Sequence, residues 1–390
     1  YAWLSTFCVK SNAFLCNKFT KILNNNGMQN YQIYHTLKSK QLFSNIDHCT
    51  NRNKNLDSVY SNKSKLSALS PATIPASTPD KKPKLGMNNS SSKSYKTEFR
   101  RPLGKVLSSI VRHILGFISR WIMMRRNKTY LHDENHTLER LVFDRDSNIG
   151  LLTISNHCSI FDDPGIWCGI LPAKKLNLDN YRHTIMDEGW FSGMGKFGSN
   201  LFHSMNCLPI KRGDRRGLES PQLDALRQRL MGKGGFRNKQ WCHLMIEGRI
   251  LQAWRFDPVN KPRLGKFRLG SAKLIATTPP SQTVVLPIFH DGMHNIFPET
   301  PPENPYDLEK GLVTNASGKS ESFFPAKGKR VDVFVGQPID FSDIVPSGGL
   351  PFEQKIDRSY LNRINDRLFK AMLELEGKAA HERKMRLNSN

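Results

Sequence analysis

Six short apolar runs recur between residues 150 and 339, and they restrict the fold more than any other feature of the chain. They are GLLTIS (150–155), HTIMDE (183–188), CLPIK (207–211), WCHLMIE (241–247), TVVLPIFH (283–290) and VDVFVGQPI (331–339). Segments of helical character, PGIWCGIL, PQLDALRQRLMGK and FRLGSAKLIAT, stand between several of them. Strands that are apolar along their whole length need cover on both faces, which a half-solvated antiparallel sheet does not give. The alternation predicts an α/β fold with a mostly parallel central sheet flanked by helices. Over 350–390, Ile356, Leu361, Ile364, Leu368, Met372 and Leu375 recur at helical spacing. They predict one more docked helix, stopped at Gly377 and followed by a basic tail.

The chain before these runs has another character. Residues 1–100 hold 15 Lys and Arg against 4 Asp and Glu, with many Asn and Ser and the Pro-interrupted stretch SPATIPASTPDKKPK. This composition fits a basic, low-complexity extension that serves as a targeting region or tether, and equally a solvated basic tail. From Leu103 to Ile122 the apolar residues fall within one half of a helical wheel, with Lys105, Arg112 and Arg120 on the other side. Residues 101–126 are therefore expected to form an amphipathic helix at a membrane interface, with Ile110, Ile114, Ile118 and Trp121 in contact with lipid. A helix packed on its own domain would show the same periodicity.

The formal charge of +24, from 58 Lys and Arg against 34 Asp and Glu, favours an anionic partner. No zinc-finger spacing, basic zipper or aromatic ribonucleoprotein signature is present, so nucleic acid is not expected. The seven cysteines are scattered and never form C-x-x-C, which argues against a disulfide framework and a zinc site. No run of about 18 apolar residues occurs, so any membrane attachment is expected to be peripheral.

Three candidate site segments follow predicted strands, where open α/β sheets place their ligands. In SNHCSIFDDP, His157 stands five residues before Asp162. Asp163 followed by Pro164 reads as a helix cap with proline at the first helical position. That leaves Asp162 free to accept the imidazole Nδ1 proton, although the spacing alone fits a structural turn as well as a catalytic pair. After CLPIK comes the cationic turn Arg212-Gly213-Asp214-Arg215-Arg216, suited to bidentate phosphate recognition or to simple solvation. After WCHLMI come Glu247, Gly248 and Arg249, where glycine permits close backbone approach.

Taken in order, N-H-x-S-x-x-D-D-P, L-P-I-K-R-G-D, I-E-G-R, F-R-L-G-S-A-K-L-I, V-L-P-I-F-H-D-G-M and V-F-V-G-Q-P resemble the glycerolipid acyltransferases. Within that family the double Asp with Pro, the Arg-Gly-Asp turn and His-x-Gly-Met look most like the mitochondrial phospholipid–lysophospholipid transacylases. The resemblance implies an acyltransferase domain over 130–345, with His157 and Asp162 as the catalytic pair. It implies that Arg212, Glu247, Gly248 and Arg249 bind the glycerophosphate of the acceptor. It also implies CoA-independent acyl transfer without a cofactor or metal, phospholipids including cardiolipin as partners, and residence at the mitochondrial inner membrane. An acyl-CoA-dependent lysophospholipid acyltransferase would share the same pair. A structural subunit that keeps the fold is the remaining reading, docked on a larger mitochondrial membrane complex through the N-terminal extension and the 298–330 loop. One departure stands out: the family usually has Phe-Pro before Glu-Gly, whereas Met245-Ile246 stand here.

Overall fold

The computed structural model describes residues 105–172, 181–193, 195–211, 217–252, 263–298 and 324–388. The N-terminal extension and Arg212 lie outside these, as does most of the 298–330 loop. The described strands are β1 (Lys128–His132), β2 (Gly150–Ser155), β3 (His183–Asp187), β4 (Cys207–Ile210), β5 (Trp241–Met245), β6 (Thr283–Asp291) and β7 (Arg330–Val335). They form one seven-stranded sheet in the order β1-β7-β6-β2-β5-β3-β4. Every neighbouring pair is parallel except β6 with β7, so five consecutive strands in that order point their carboxyl ends to one edge.

All six residues of β2 are buried. Leu152 and Ile154 join the core with Leu223, Leu226, Leu230, Ala272 and Leu368 on one face of the sheet, whereas Leu151 packs with Ile166, Trp167, Leu286 and Val333 on the other. The helices, with α2 (Thr137–Glu139), α4 (Glu188–Gly193) and α5 (Gly195–Ser204) among them, flank the sheet. On the first face lie α6 (Pro221–Leu230), α7 (Leu269–Ala276) and α8 (Arg358–Asn388), and on the second lie α1 (Lys105–Arg120) and α3 (Asp162–Ile170). Each fully buried Leu or Ile contributes about 1.5–3 kcal/mol to this arrangement. The helix α6 begins as its sequence dictates, with the Ser220 side chain accepting the Leu223 N–H and Pro221 at the first position.

The six predicted strands all form, with one strand beyond them and a last helix longer than expected. The short edge strand β1 was not anticipated, because KTYLH has mostly exposed or half-buried positions and is recruited by pairing with β7. Gly377 does not stop the last helix, which runs on to Asn388. A helix-interior glycine costs only about 1 kcal/mol, and beyond it Ala379 is buried while Arg383 and Arg386 reach Asp291 and Asp332 on the sheet edge.

The polar groups Ser108, Arg112 and Ser119 of α1 face the protein. Arg112 is 6% exposed with its guanidinium 5.9 Å from the Tyr181 ring, Ser119 is buried, and Ser108 Oγ lies 3.2 Å from Ser204 Oγ. Arg120 donates to the Leu171 carbonyl at 2.8 Å. The residues left exposed are Ile110, Phe117, Trp121 and Met124. Ile114 is half-buried, and Ile118 is half-buried against the core. No helix among the described residues is long and apolar enough to cross a membrane.

Candidate active site

The chain leaving β2 turns at His157 before α3 begins, and this turn is built around one carboxylate. Asp162 is fully buried, and its Oδ2 accepts the backbone N–H groups of Cys158 and Ser159 at 2.7 and 2.8 Å. The same oxygen lies 2.8 Å from His157 Nδ1. A carboxylate only accepts, so Nδ1 carries the ring proton and Nε2 keeps its lone pair. Burial works to raise the Asp162 pKa, but His290, His157 and the Ser159 N–H outweigh it and hold the carboxyl below its ordinary value. The group that fixes the tautomer therefore stays ionised. The His157 side chain keeps 17% of its surface exposed, enough for Nε2 to meet a substrate.

A second histidine stands behind the pair. His290, in the HDGM segment at the end of β6, places Nε2 2.9 Å from the Asn156 carbonyl and 3.9 Å from Asp162 Oδ2. The Asn156 side chain donates to the His290 carbonyl and accepts the His290 N–H, both at 2.9 Å. These bonds fasten the carboxyl ends of β2 and β6 together beneath His157. Asn156 and His290 fall within segments that carry the family resemblance, but neither was assigned a role from the sequence, although His290 follows the same strand-end rule that singled out His157.

Asp163 does not cap α3. The capping position is Phe161, without a side-chain cap bond. Asp163 is instead an ion-pair partner: Arg182, 1% exposed, donates to both carboxylate oxygens, at 2.7 Å from Nε to Oδ1, and Trp167 Nε1 donates to Oδ1 at 3.0 Å. Arg182 is 19 residues away in sequence, so local pattern gave no sign of it.

Glu247 also takes a role other than the one expected. It is 1% exposed, and its two oxygens accept the backbone N–H groups of His157 at 2.8 Å and Gly265 at 2.6 Å. It therefore ties the His157 turn to the segment ahead of α7. Burial pushes its carboxyl up to about 7, against the pull of the two N–H bonds. Its ordinary value is 4.5, so the folded chain holds a proton in this range that the unfolded chain releases. The stability this group contributes is present below pH 4.5 and is lost as pH rises through about 7. Glu247→Gln should remove that slope, so the unfolding midpoint of the unmodified protein is expected to fall relative to the variant across this window. Parallel slopes for the two proteins would refute the assignment.

Of the other expected contacts, Gly248 is exposed with φ +61°, a conformation that favours glycine, and Arg249 is half-buried beside it. The Met245-Ile246 departure has a structural answer. Ile246 N–H donates to the Ser155 carbonyl at 3.0 Å, extending the β2–β5 ladder by a bond that proline could not make. The Ile246 carbonyl accepts the Arg268 N–H at 2.8 Å. Four cysteines, Cys158, Cys168, Cys207 and Cys242, are buried free thiols.

A family profile described as Acyltransferase matches residues 118–291, from the last turn of α1 to the end of β6. The chain is 32% identical over 215 residues to an N-acylphosphatidylethanolamine synthase from Arabidopsis thaliana, covering 55% of this chain and 64% of that protein. It is 26% identical over 246 residues to a tafazzin from Drosophila melanogaster, covering 62% of this chain and 53% of that protein. The chain thus spans about half to two thirds of the length of these curated relatives. A crystal structure of a 1-acyl-sn-glycerophosphate acyltransferase, PlsC, from Thermotoga maritima is 12% identical with a TM-score of 0.35, covering 70% of this chain and 81% of that one. The strand-end histidine and its buried aspartate therefore lie inside the segment that matches the Acyltransferase profile, in a chain that is similar to the tafazzins.

Proposed function

We propose that this protein transfers an acyl chain from a phospholipid to a lysophospholipid without CoA, with His157 as general base and Asp162 as the group that orients it. The observation that carries the reading is the 2.8 Å contact between His157 Nδ1 and a buried, ionised Asp162 at the carboxyl edge of the sheet. In the proposed reaction, Nε2 takes the proton from the lysophospholipid hydroxyl and the oxygen attacks the donor's ester carbonyl. The imidazolium then returns the proton to the departing alkoxide. One alcohol replaces another, so the exchange balances without CoA or a metal. Well-placed general base catalysis contributes about 10²- to 10⁴-fold. Arg212, Gly248 and Arg249 are proposed to meet the acceptor glycerophosphate, with Glu247 positioning the turn.

Water competes with the lysolipid hydroxyl, so the site has to be fed from a membrane surface. The exposed Ile110, Phe117, Trp121 and Met124 on one side of the chain leading to β1 supply an apolar contact for it. A net charge of +24 favours anionic leaflets such as those rich in cardiolipin, and the basic extension fits mitochondrial targeting. Ile110→Glu with Phe117→Glu should weaken binding to cardiolipin-containing vesicles by at least tenfold, because each substitution places a charge against the lipid. Unchanged flotation would assign the face to another role. Ile118 is unsuited to this test because it packs on the core.

The decisive assay follows labelled acyl groups from phosphatidylcholine to a lysolipid, with and without CoA, and to the amine of phosphatidylethanolamine. The amine arm is included because one relative is named as an N-acylphosphatidylethanolamine synthase. Exchange without CoA supports the proposal. Strict dependence on acyl-CoA, or transfer to the amine alone, replaces it with the corresponding enzyme, and transfer to no acceptor leaves the fold a scaffold.

A further inference from the structure

We infer that the carboxyl edge of β6 carries a second site, which binds a phosphate group of a monoester or diester. A cavity of about 520 Å³ lies there, and Arg263, Arg330, Arg383 and Arg386 line it above two aspartates, Asp291 and Asp332. The arginines come from three places: the segment before α7, the start of β7 and the last turns of α8. Their side chains are between 20% and 35% exposed, whereas the aspartates beneath them are 7% and 3% exposed. The surface offered to a ligand is thus mainly guanidinium.

Each guanidinium is held in place before any ligand arrives. Asp291 accepts Arg263 Nη1 and Arg383 Nη1, each at 2.9 Å. Asp332 accepts Arg386 Nη1 at 2.5 Å, Arg330 Nη2 at 2.8 Å and His132 Nε2 at 2.9 Å. Gly292, with φ +95°, lets the strand ends close to the point where a Cβ would stand 2.2 Å from the Arg330 carbonyl, so the base of the cavity is fixed by backbone contact. Two further carboxylates, Glu376 on Arg383 and Glu382 at 3.8 Å from Arg330, complete the charge balance, but neither borders the cavity. These bonds use only some of the five N–H groups of each guanidinium. Four cations already ordered on their own carboxylates lose little entropy when an anion docks, and paired guanidinium forks match phosphate oxygens. His290 precedes Asp291 and stands 3.9 Å from Asp162, so the cavity neighbours the proposed catalytic pair without sharing its residues.

The test compares the full chain with Arg263→Gln/Arg386→Gln. In this variant Asp291 keeps Arg383, and Asp332 keeps Arg330 and His132, so neither aspartate is left without a partner. A second variant, Arg140→Gln/Lys370→Gln, removes the same charge from exposed positions. Unfolding midpoints are read with glycerol 3-phosphate and with inorganic phosphate, and flotation is read with phosphatidylglycerol against phosphatidylcholine vesicles. The phosphate group is expected to bind the Arg263/Arg386 variant about ten- to a hundredfold more weakly than the control variant, since each lost contact is a charge-assisted hydrogen bond. A difference seen with the soluble anions identifies a free phosphate ester as ligand. One seen only on phosphatidylglycerol vesicles identifies a lipid headgroup. Equal responses of the two variants in every arm would overturn the inference and leave the arginines as a clamp on α8. The readout is binding, so it stands whether or not acyl exchange is observed.

Discussion

Replacing His157 with alanine is expected to lower acyl exchange by about 10²- to 10⁴-fold while the unfolding midpoint stays nearly unchanged. The side chain is held at Nδ1 by Asp162, and its backbone N–H and carbonyl are held separately, by Glu247 at 2.8 Å and by the Leu251 N–H at 2.7 Å. Alanine keeps both backbone bonds, so the turn survives the loss of the imidazole. Asp162→Ala should remove exchange as well, but with a stability cost that a pure proton-transfer role would not produce. It strands the Cys158 and Ser159 N–H groups in a buried turn, at about 1–3 kcal/mol for each unsatisfied donor. Exchange rates and denaturant midpoints measured on both variants separate the two roles. Undiminished exchange in His157→Ala would end the general-base mechanism.

Asp163→Ala is expected to be more damaging to the fold, at about 3–5 kcal/mol, because it leaves the Arg182 guanidinium charged and buried without its carboxylate. A lost helix cap would cost only about 1 kcal/mol, so the two roles are distinguishable by size. Trp167 Nε1 also loses its acceptor, and Trp167 is itself fully buried between α3 and the sheet, edge-on to Trp241 at 4.9 Å. Replacing both charged partners, as in Asp163→Leu with Arg182→Met, should recover much of the loss, since apolar pairs of similar volume often substitute for a buried ion pair. Urea denaturation of the single and double variants checks this, and a single-variant cost near 1 kcal/mol would restore the capping role.

Much of the sheet was legible because a buried strand needs apolar residues on both faces, a demand local enough to be written in six consecutive runs. The helix α6 was legible for the same reason: Ser220 and Pro221 define its start from within its own first turn. The spacing of His157 and Asp162 could be read as a pair because both groups lie on one turn, although a structural turn fitted that spacing too.

The remaining assignments depended on partners far away in the chain. Which aspartate serves the histidine was settled by Arg182 claiming Asp163. Glu247 faces two backbone N–H groups, one of them 90 residues back, partners that its place at a strand end did not reveal. Tyr181, Ser204 and Leu171 give the polar groups of α1 partners inside the protein, which helical periodicity alone did not reveal. Gly377 failed to end α8 because ion pairs from Arg383 and Arg386 hold the far end of the helix on the sheet edge. Periodicity and capping are short-range and so are carried by the sequence itself. The partner of a buried charge is chosen by which strands and helices come together, and only the tertiary structure decides that.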